Sequence, residues 1–191
     1  MSQLRTDARR PFRFTLAAAA VAAVAGLGLA TSPAQAEFQQ GDFELRLSGF
    51  AQNNSDFDAF AANVGGQLGY FLSDQFEAGI RQDLGYSDLG GGSNLNGATS
   101  LFVNYHFGDA SSQLQPFIGL SLGYIYGDGV NDTFVAGPEI GLKYFFDENW
   151  FFFRQVEYQF FFDDAGGADD ALDDGVFNYR LGLGVILEGQ N

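Results

Sequence analysis

Between residues 64 and 72 the chain reads VGGQLGYFL. Val64, Leu68, Tyr70 and Leu72 fall on one parity, and Asn63, Gly65, Gln67, Gly69 and Phe71 on the other. In FEAGIRQDLGY, over 76–86, Phe76, Ala78, Ile80, Leu84 and Tyr86 alternate with Glu77, Gly79, Arg81, Asp83 and Gly85. A repeat of two sends successive side chains to opposite faces of a strand, and a helical period fits these stretches worse. The same alternation predicts strands near 42–52, 98–107, 115–126, 134–146, 150–162 and 176–187, which makes eight, most of them ten to thirteen residues long. A tilted strand needs ~9–11 residues to cross a bilayer core, whereas strands of soluble sheets are nearer ~5–6. The links alternate as well. Residues 73–75 and 147–149 are tight turns and 108–114 is somewhat longer, while 53–62, 87–97, 127–133 and 163–175 are longer still and mostly richer in Gly, Asn and Asp. Short turns at one end and long loops at the other describe an outer-membrane barrel.

The most aromatic stretch is 143–162, KYFFDENWFFFRQVEYQFFF, where eleven of twenty residues are Phe, Tyr or Trp. In water so many exposed rings would invite association. A spanning helix wants ~20 apolar residues with few charges, and Lys143, Asp147, Glu148, Arg154 and Glu157 speak against one. As a hairpin turning at DEN, the segment puts Tyr144, Phe146, Trp150, Phe152, Val156, Tyr158 and Phe160 on one face. Those flanking the turn sit where an interfacial aromatic girdle belongs.

A soluble barrel would alternate in the same way with its apolar face inward. Two features choose the lipid-facing sense. The apolar parity carries more bulky side chains than a narrow interior holds. The other parity is mostly glycine (Gly65, Gly69, Gly79, Gly119, Gly123, Gly137, Gly141, Gly182, Gly184) with a few long charged residues. Glycine on a solvent-facing strand wastes β-propensity, whereas inside a narrow barrel it makes room for a long neighbour. Leu120, Leu122, Tyr124, Ile140, Leu142, Leu181, Leu183 and Val185 are therefore expected to face lipid. Leu142→Arg is expected to cost ~2–4 kcal/mol if it sits at the midplane.

The start of the chain reads differently. Arg5, Arg9, Arg10 and Arg13 precede the apolar run FTLAAAAVAAVAGLGLA over 14–30, and SPAQA ends at Ala36. This is the layout of a secretory signal peptide, giving residues 1–36 as signal peptide and 37–191 as the barrel domain. Of 9 basic and 24 acidic residues, 1–36 holds four and one, so the remainder carries 5 − 23 = −18. That surface repels phosphate backbones and excludes nucleic-acid partners. With no cysteine and one histidine, thiolate and poly-histidine metal sites are excluded, and so are disulfides.

GYFLSDQFEAGI (69–80), QPFIGLSLGYIYGD (115–128), GPEIGLKYFFDENW (137–150) and FNYRLGLGVIL (177–187) resemble the small eight-stranded outer-membrane β-barrel family of opacity-type proteins and the OmpA and OmpX barrels. The resemblance spans 37–191. It implies an all-β, eight-stranded antiparallel up-and-down transmembrane barrel in the bacterial outer membrane, with membrane lipid and the outer-membrane assembly machinery as partners. Such barrels usually finish on an aromatic residue that this machinery reads; here EGQN follows Leu187. An OmpA-like peptidoglycan tether is expected to be absent. The functional expectation is a non-enzymatic structural or surface-interaction role. A narrow channel or small-solute transporter is the second reading, and a soluble periplasmic lipid-binding barrel the third.

Candidate chemistry is sparse. Alternation puts Arg46, Arg81, Lys143 and Arg180 inward, together with Glu44, Glu77, Asp83, Glu139 and Glu157. Charges in a narrow interior must be paired or hydrated, so these nine form either a salt-bridged plug or a gated ion path. If Phe146 pairs with Trp150, Glu139 falls directly opposite Glu157, and like charges so placed need a cation between them. Arg180, on the neighbouring strand, is the expected bridge, with Arg81 or Asp83 extending the cluster. Some barrels of this class are lipid A deacylases or acyltransferases. His106, however, falls inward at the periplasmic end with no serine–histidine–acid set in reach, so no catalytic residue and no cofactor are expected. Asp163, Asp164, Asp169, Asp170, Asp173 and Asp174 lack EF-hand spacing. A solvated acidic loop is the first reading, and Ca²⁺ or Mg²⁺ capture by carboxylates the second.

Overall fold

The computed structural model describes residues 38–53, 60–88, 92–108, 112–162 and 175–189. The alternating stretches form β1 (Phe43–Asn53), β2 (Phe60–Phe71), β3 (Phe76–Asp88), β4 (Ser93–His106), β5 (Leu114–Gly127), β6 (Thr133–Phe145), β7 (Trp150–Phe161) and β8 (Val176–Leu187). Each strand pairs antiparallel with its chain neighbours, and β1 closes on β8. In a bilayer backbone groups must find partners within the protein, and closing the ring supplies them along most of the wall.

The side chains obey the lipid-facing sense. Leu120 and Ile140 are each 60% exposed, whereas Arg81 and Lys143 are 0% exposed. That inversion removes the soluble reading. Two aromatic girdles border the band. Near the short turns Phe43 meets Tyr70 and Phe76 meets Tyr105, each pair with centroids 5.0 Å apart. Near the long loops Tyr124 meets Phe134 at 4.8 Å and Tyr158 meets Phe177 at 4.7 Å.

Two strands start earlier than alternation predicts, β2 at Phe60 and β4 at Ser93. The added segments, FAAN and SNLNG, hold one large apolar residue each, Phe60 and Leu95, among small and polar neighbours. One apolar residue apiece makes too weak a rhythm to read, yet they pair with Asn53–Phe50 and with Asp88–Leu84. Backbone ladders continue where side-chain signal has ended.

The interior glycines sit where bulk would collide. A Cβ at Gly184 would meet the Phe151 ring, one at Gly141 the Phe117 ring, and one at Gly69 the Glu77 carboxylate. The inward parity holds more rings than its glycines suggest, however. Phe71, Phe102, Phe117, Phe145, Phe151 and Phe153 are all buried. Phe38, ahead of β1, joins them by stacking on Phe71 with centroids 4.6 Å apart. Asp42 straps this segment in place: its carboxylate accepts from Gln39 N at 2.8 Å and from Gly189 N at 2.9 Å.

Candidate functional site: the barrel interior

The inward charges come from β1 (Glu44, Arg46), β3 (Glu77, Arg81, Asp83), β6 (Glu139, Lys143), β7 (Glu157) and β8 (Arg180). The structure sorts all nine into two connected groups. In the first, Lys143 Nζ donates to Glu44 Oε2 and lies 3.5 Å from Glu77 Oε2. Arg46 Nη2 reaches both Glu77 oxygens at 3.0 and 3.1 Å. Its Nε lies 2.5 Å from Glu44 Oε1 without hydrogen-bond alignment. Four rings enclose the Lys143 ammonium, with Phe151, Phe71, Phe117 and Phe38 centroids 5.3, 5.5, 5.6 and 5.9 Å away. Ring faces attract a desolvated cation, so the aromatic plug also offsets part of the cost of burying Lys143.

The second group is built on Arg81. Its Nη2 donates to Glu139 Oε2 at 2.8 Å and its Nη1 to Glu157 Oε2 at 3.2 Å. Glu139 and Glu157 are directly opposed across β6–β7, as the Phe146–Trp150 turn requires. Arg180 Nη1 also donates to Glu157 Oε2, and Nη2 donates to Asp83 Oδ2 at 3.0 Å. This corrects the expected bridge: Arg180 makes no ion pair with Glu139. The register explains why. Arg180 faces Gln155 on β7, one strand short of Glu139 on β6. Arg81 instead reaches across the narrow lumen from β3, and its planar fork offers separate donors to the two carboxylates.

Neutral side chains complete the network. Gln155 donates to Glu139 Oε2 at 2.8 Å and accepts from Arg46 Nη1 at 3.4 Å, tying the two groups together. With its amide oxygen turned to Arg46, Asn104 donates to Glu139 Oε1 at 2.8 Å. Ser121 Oγ donates to Glu157 Oε1. Both guanidinium carbons, of Arg46 and Arg81, lie 5.3 Å from the Phe102 centroid. Sequence reasoning missed Ser121, Asn104 and Gln155, because an inward neutral polar residue carries no charge to flag it. Parity alone would have found them.

His106 is buried among Phe38, Phe71 and Phe117, with Nε2 3.6 Å from Glu77 Oε2. Asp163, Asp164, Asp169, Asp170, Asp173 and Asp174 lie outside the described residues. Among the described residues no group of three or more acidic or histidine side chains is arranged to hold a metal ion.

The whole barrel sequence is matched by a known family. The model of the OprF membrane domain fits residues 15–191. The chain belongs to the OprF membrane-domain family. Outer membrane porin F of Pseudomonas aeruginosa is 29% identical over 143 residues, or 64% of this chain and 40% of the relative. This OprF-type chain thus spans about two fifths of that protein's length. Its fold matches the crystal structure of the N-terminal barrel domain of P. aeruginosa OprF (TM-score 0.57, 24% identity, 78% of this chain and all of that one). It also matches the outer membrane protein OprG of P. aeruginosa (0.55, 15%, 80% and 99%) and Neisserial surface protein A (0.52, 16%, 79% and 99%). The OprF-family chain is a porin-like transmembrane β-barrel of the bacterial outer membrane.

Proposed function

We propose that this barrel acts as a closed structural element of the outer membrane, presenting its long loops for surface interaction, and performs no catalysis. The observation that carries this reading is the burial of the interior column: Arg46, Arg81, Lys143, Glu44, Glu77 and Glu157 are each at most 1% exposed and paired with opposite charge. Eight strands leave an interior just wide enough for side chains to fill. The aromatic plug around Lys143 adds a second closure at the short-turn end. Non-enzymatic character is supported by the kind of relatives the chain has, outer-membrane porins and surface proteins, and by the packing of His106 among phenylalanines.

A narrow channel is the second reading. It is favoured by the name of the relative, a porin, and by the continuity of the polar column from Glu44 to Asp83. Conductance of purified protein in planar bilayers separates the two. A closed barrel gives no discrete current steps in 1 M salt. Reproducible unitary steps from the wild-type barrel would overturn the structural reading and install the channel.

A further inference from the structure

Of the five basic residues beyond position 36, four are consumed inside the barrel. The fifth is Arg154. It lies on the outward parity of β7 between Phe152 and Val156, is exposed, and is flanked by Leu142 on β6 and Leu181 on β8. Among the described residues it has no ion-pair or hydrogen-bond partner. Another polar intrusion into the lipid face behaves differently. Gln82 is satisfied by Thr99 at 2.6 Å, by Tyr126 at 3.1 Å and by its neighbour's carbonyl at 2.9 Å. An ionisable residue inside a membrane is costly, and its usual resolution is a partner or snorkelling to the interface.

We propose that Arg154 is the phosphate anchor of a phospholipid site in the short-turn leaflet, with the lipid's acyl chain lying in the apolar groove along β8 and β1. Three observations fix the occupant. Charge complementarity demands an anion, and lipid phosphate is the anion always present at this surface. The short-turn interface is also the nearer one. Arg154 stands four residues from Trp150, roughly 13 Å along a strand at ~3.3 Å per residue, and about 10 Å in depth at a tilt of ~35–45°. A long side chain bending toward the turn covers most of that depth. Finally, a groove of about 370 Å³ begins beside Trp150 and is walled by Leu45, Leu47, Leu181 and Leu183, with Gly49 at its far end. Phe152 faces Leu183 and Arg154 faces Leu181, so the groove runs one strand over from the guanidinium and parallel to it. The groove spans the heights from Trp150 to Arg154, so a headgroup held at the height of Phe152 would lay the first part of its chain against Leu181 and Gly49 at the groove's inner end.

The test is a distance measurement in bilayers. Barrel labelled with ¹³C,¹⁵N-arginine is reconstituted in phosphatidylglycerol vesicles, and dephasing of the guanidinium carbon by ³¹P is recorded in phosphate-free buffer. The lumen arginines are silent by position, so one signal is expected to dephase in the wild type and none in Arg154→Leu or Arg154→Gln. Two conservative variants guard against one failing to fold, which heat-modifiable gel mobility reports. In vesicles of a phosphate-free galactolipid the dephasing is expected to vanish. No dephasing in the wild type, dephasing that survives both substitutions, or dephasing that appears only when inorganic phosphate is added would each overturn the proposal. So would cross-linking of β7 to a second copy in place of lipid contact.

Discussion

Arg81 and Arg180 differ in what their loss leaves behind. Arg81→Met strips the cation from between two opposed carboxylates, Glu139 and Glu157, in a site sealed from water. Breaking a buried ion pair by removing one partner costs ~3–5 kcal/mol, and urea unfolding from vesicles is expected to show a loss of that size. Arg180→Met is expected to cost clearly less, because Arg81 still holds Glu157, and the Arg180 side chain keeps 12% exposure. A larger loss for Arg180 than for Arg81 would refute this ordering. The lipid face gives a second test. Leu142 is paired directly with Arg154. Leu142→Arg would therefore set two guanidinium groups side by side in addition to the ~2–4 kcal/mol of a midplane arginine. Leu142→Glu places a carboxylate against Arg154 and is expected to be the milder change, with the difference narrowed in an Arg154→Leu background to the smaller intrinsic cost of a lipid-facing Glu. Parity and charge made these residues legible in sequence. The Arg180–Glu157 pair and the part played by Arg81 and Asp83 were legible too, but that Arg81 rather than Arg180 holds Glu139 was not, because reach across a lumen depends on the barrel's width, which no linear pattern states.

The strands show the same boundary between what a pattern reveals and what it hides. All eight were legible, since lipid on one side and a polar lumen on the other impose a period of two. The ends were less so: Phe60–Asn63 and Ser93–Gly97 are held by backbone pairing with only one large apolar residue each, too few to show a rhythm. In Phe151–Phe153 both parities are aromatic, so the alternation disappears, and the inward rings around Lys143 went unread. One seam stands apart in the ladder. β1 pairs with β8 only from Phe43–Leu187 to Ser48–Gly182, leaving residues 49–53 and 176–181 paired on one side. Local opening follows sparse pairing. Hydrogen exchange in micelles is expected to be fastest within strands at Ala51 and Tyr179, and slowest at the β3–β4 ladder around Arg81 and Ser100. Equal protection across these positions would show that the seam is zipped along its full length.

For the whole molecule, the apolar exterior and the membership in the OprF membrane-domain family place the barrel in lipid, and the paired interior ties β1, β3, β6, β7 and β8 together. The acidic balance then falls mainly on loops and turns, since every lumen cation is matched and Arg154 alone faces outward among the bases of 37–191. Closure of β1 on β8 carries a further meaning for how such a wall comes into being. Phe43 and Leu187 meet across almost the entire length of the domain, so the contact that abolishes the open edge is also the one with the greatest chain separation. Non-local contacts are slow to form because loop closure must precede any gain from them. Until β8 arrives, β1 presents unpaired amides to a solvent that cannot hydrate them, and Asp83 lacks the guanidinium of Arg180. A seven-stranded sheet open at β1 is therefore expected to be unstable in the bilayer. The ring is thus expected to close in one cooperative act, set by the moment at which β8 pairs with β1.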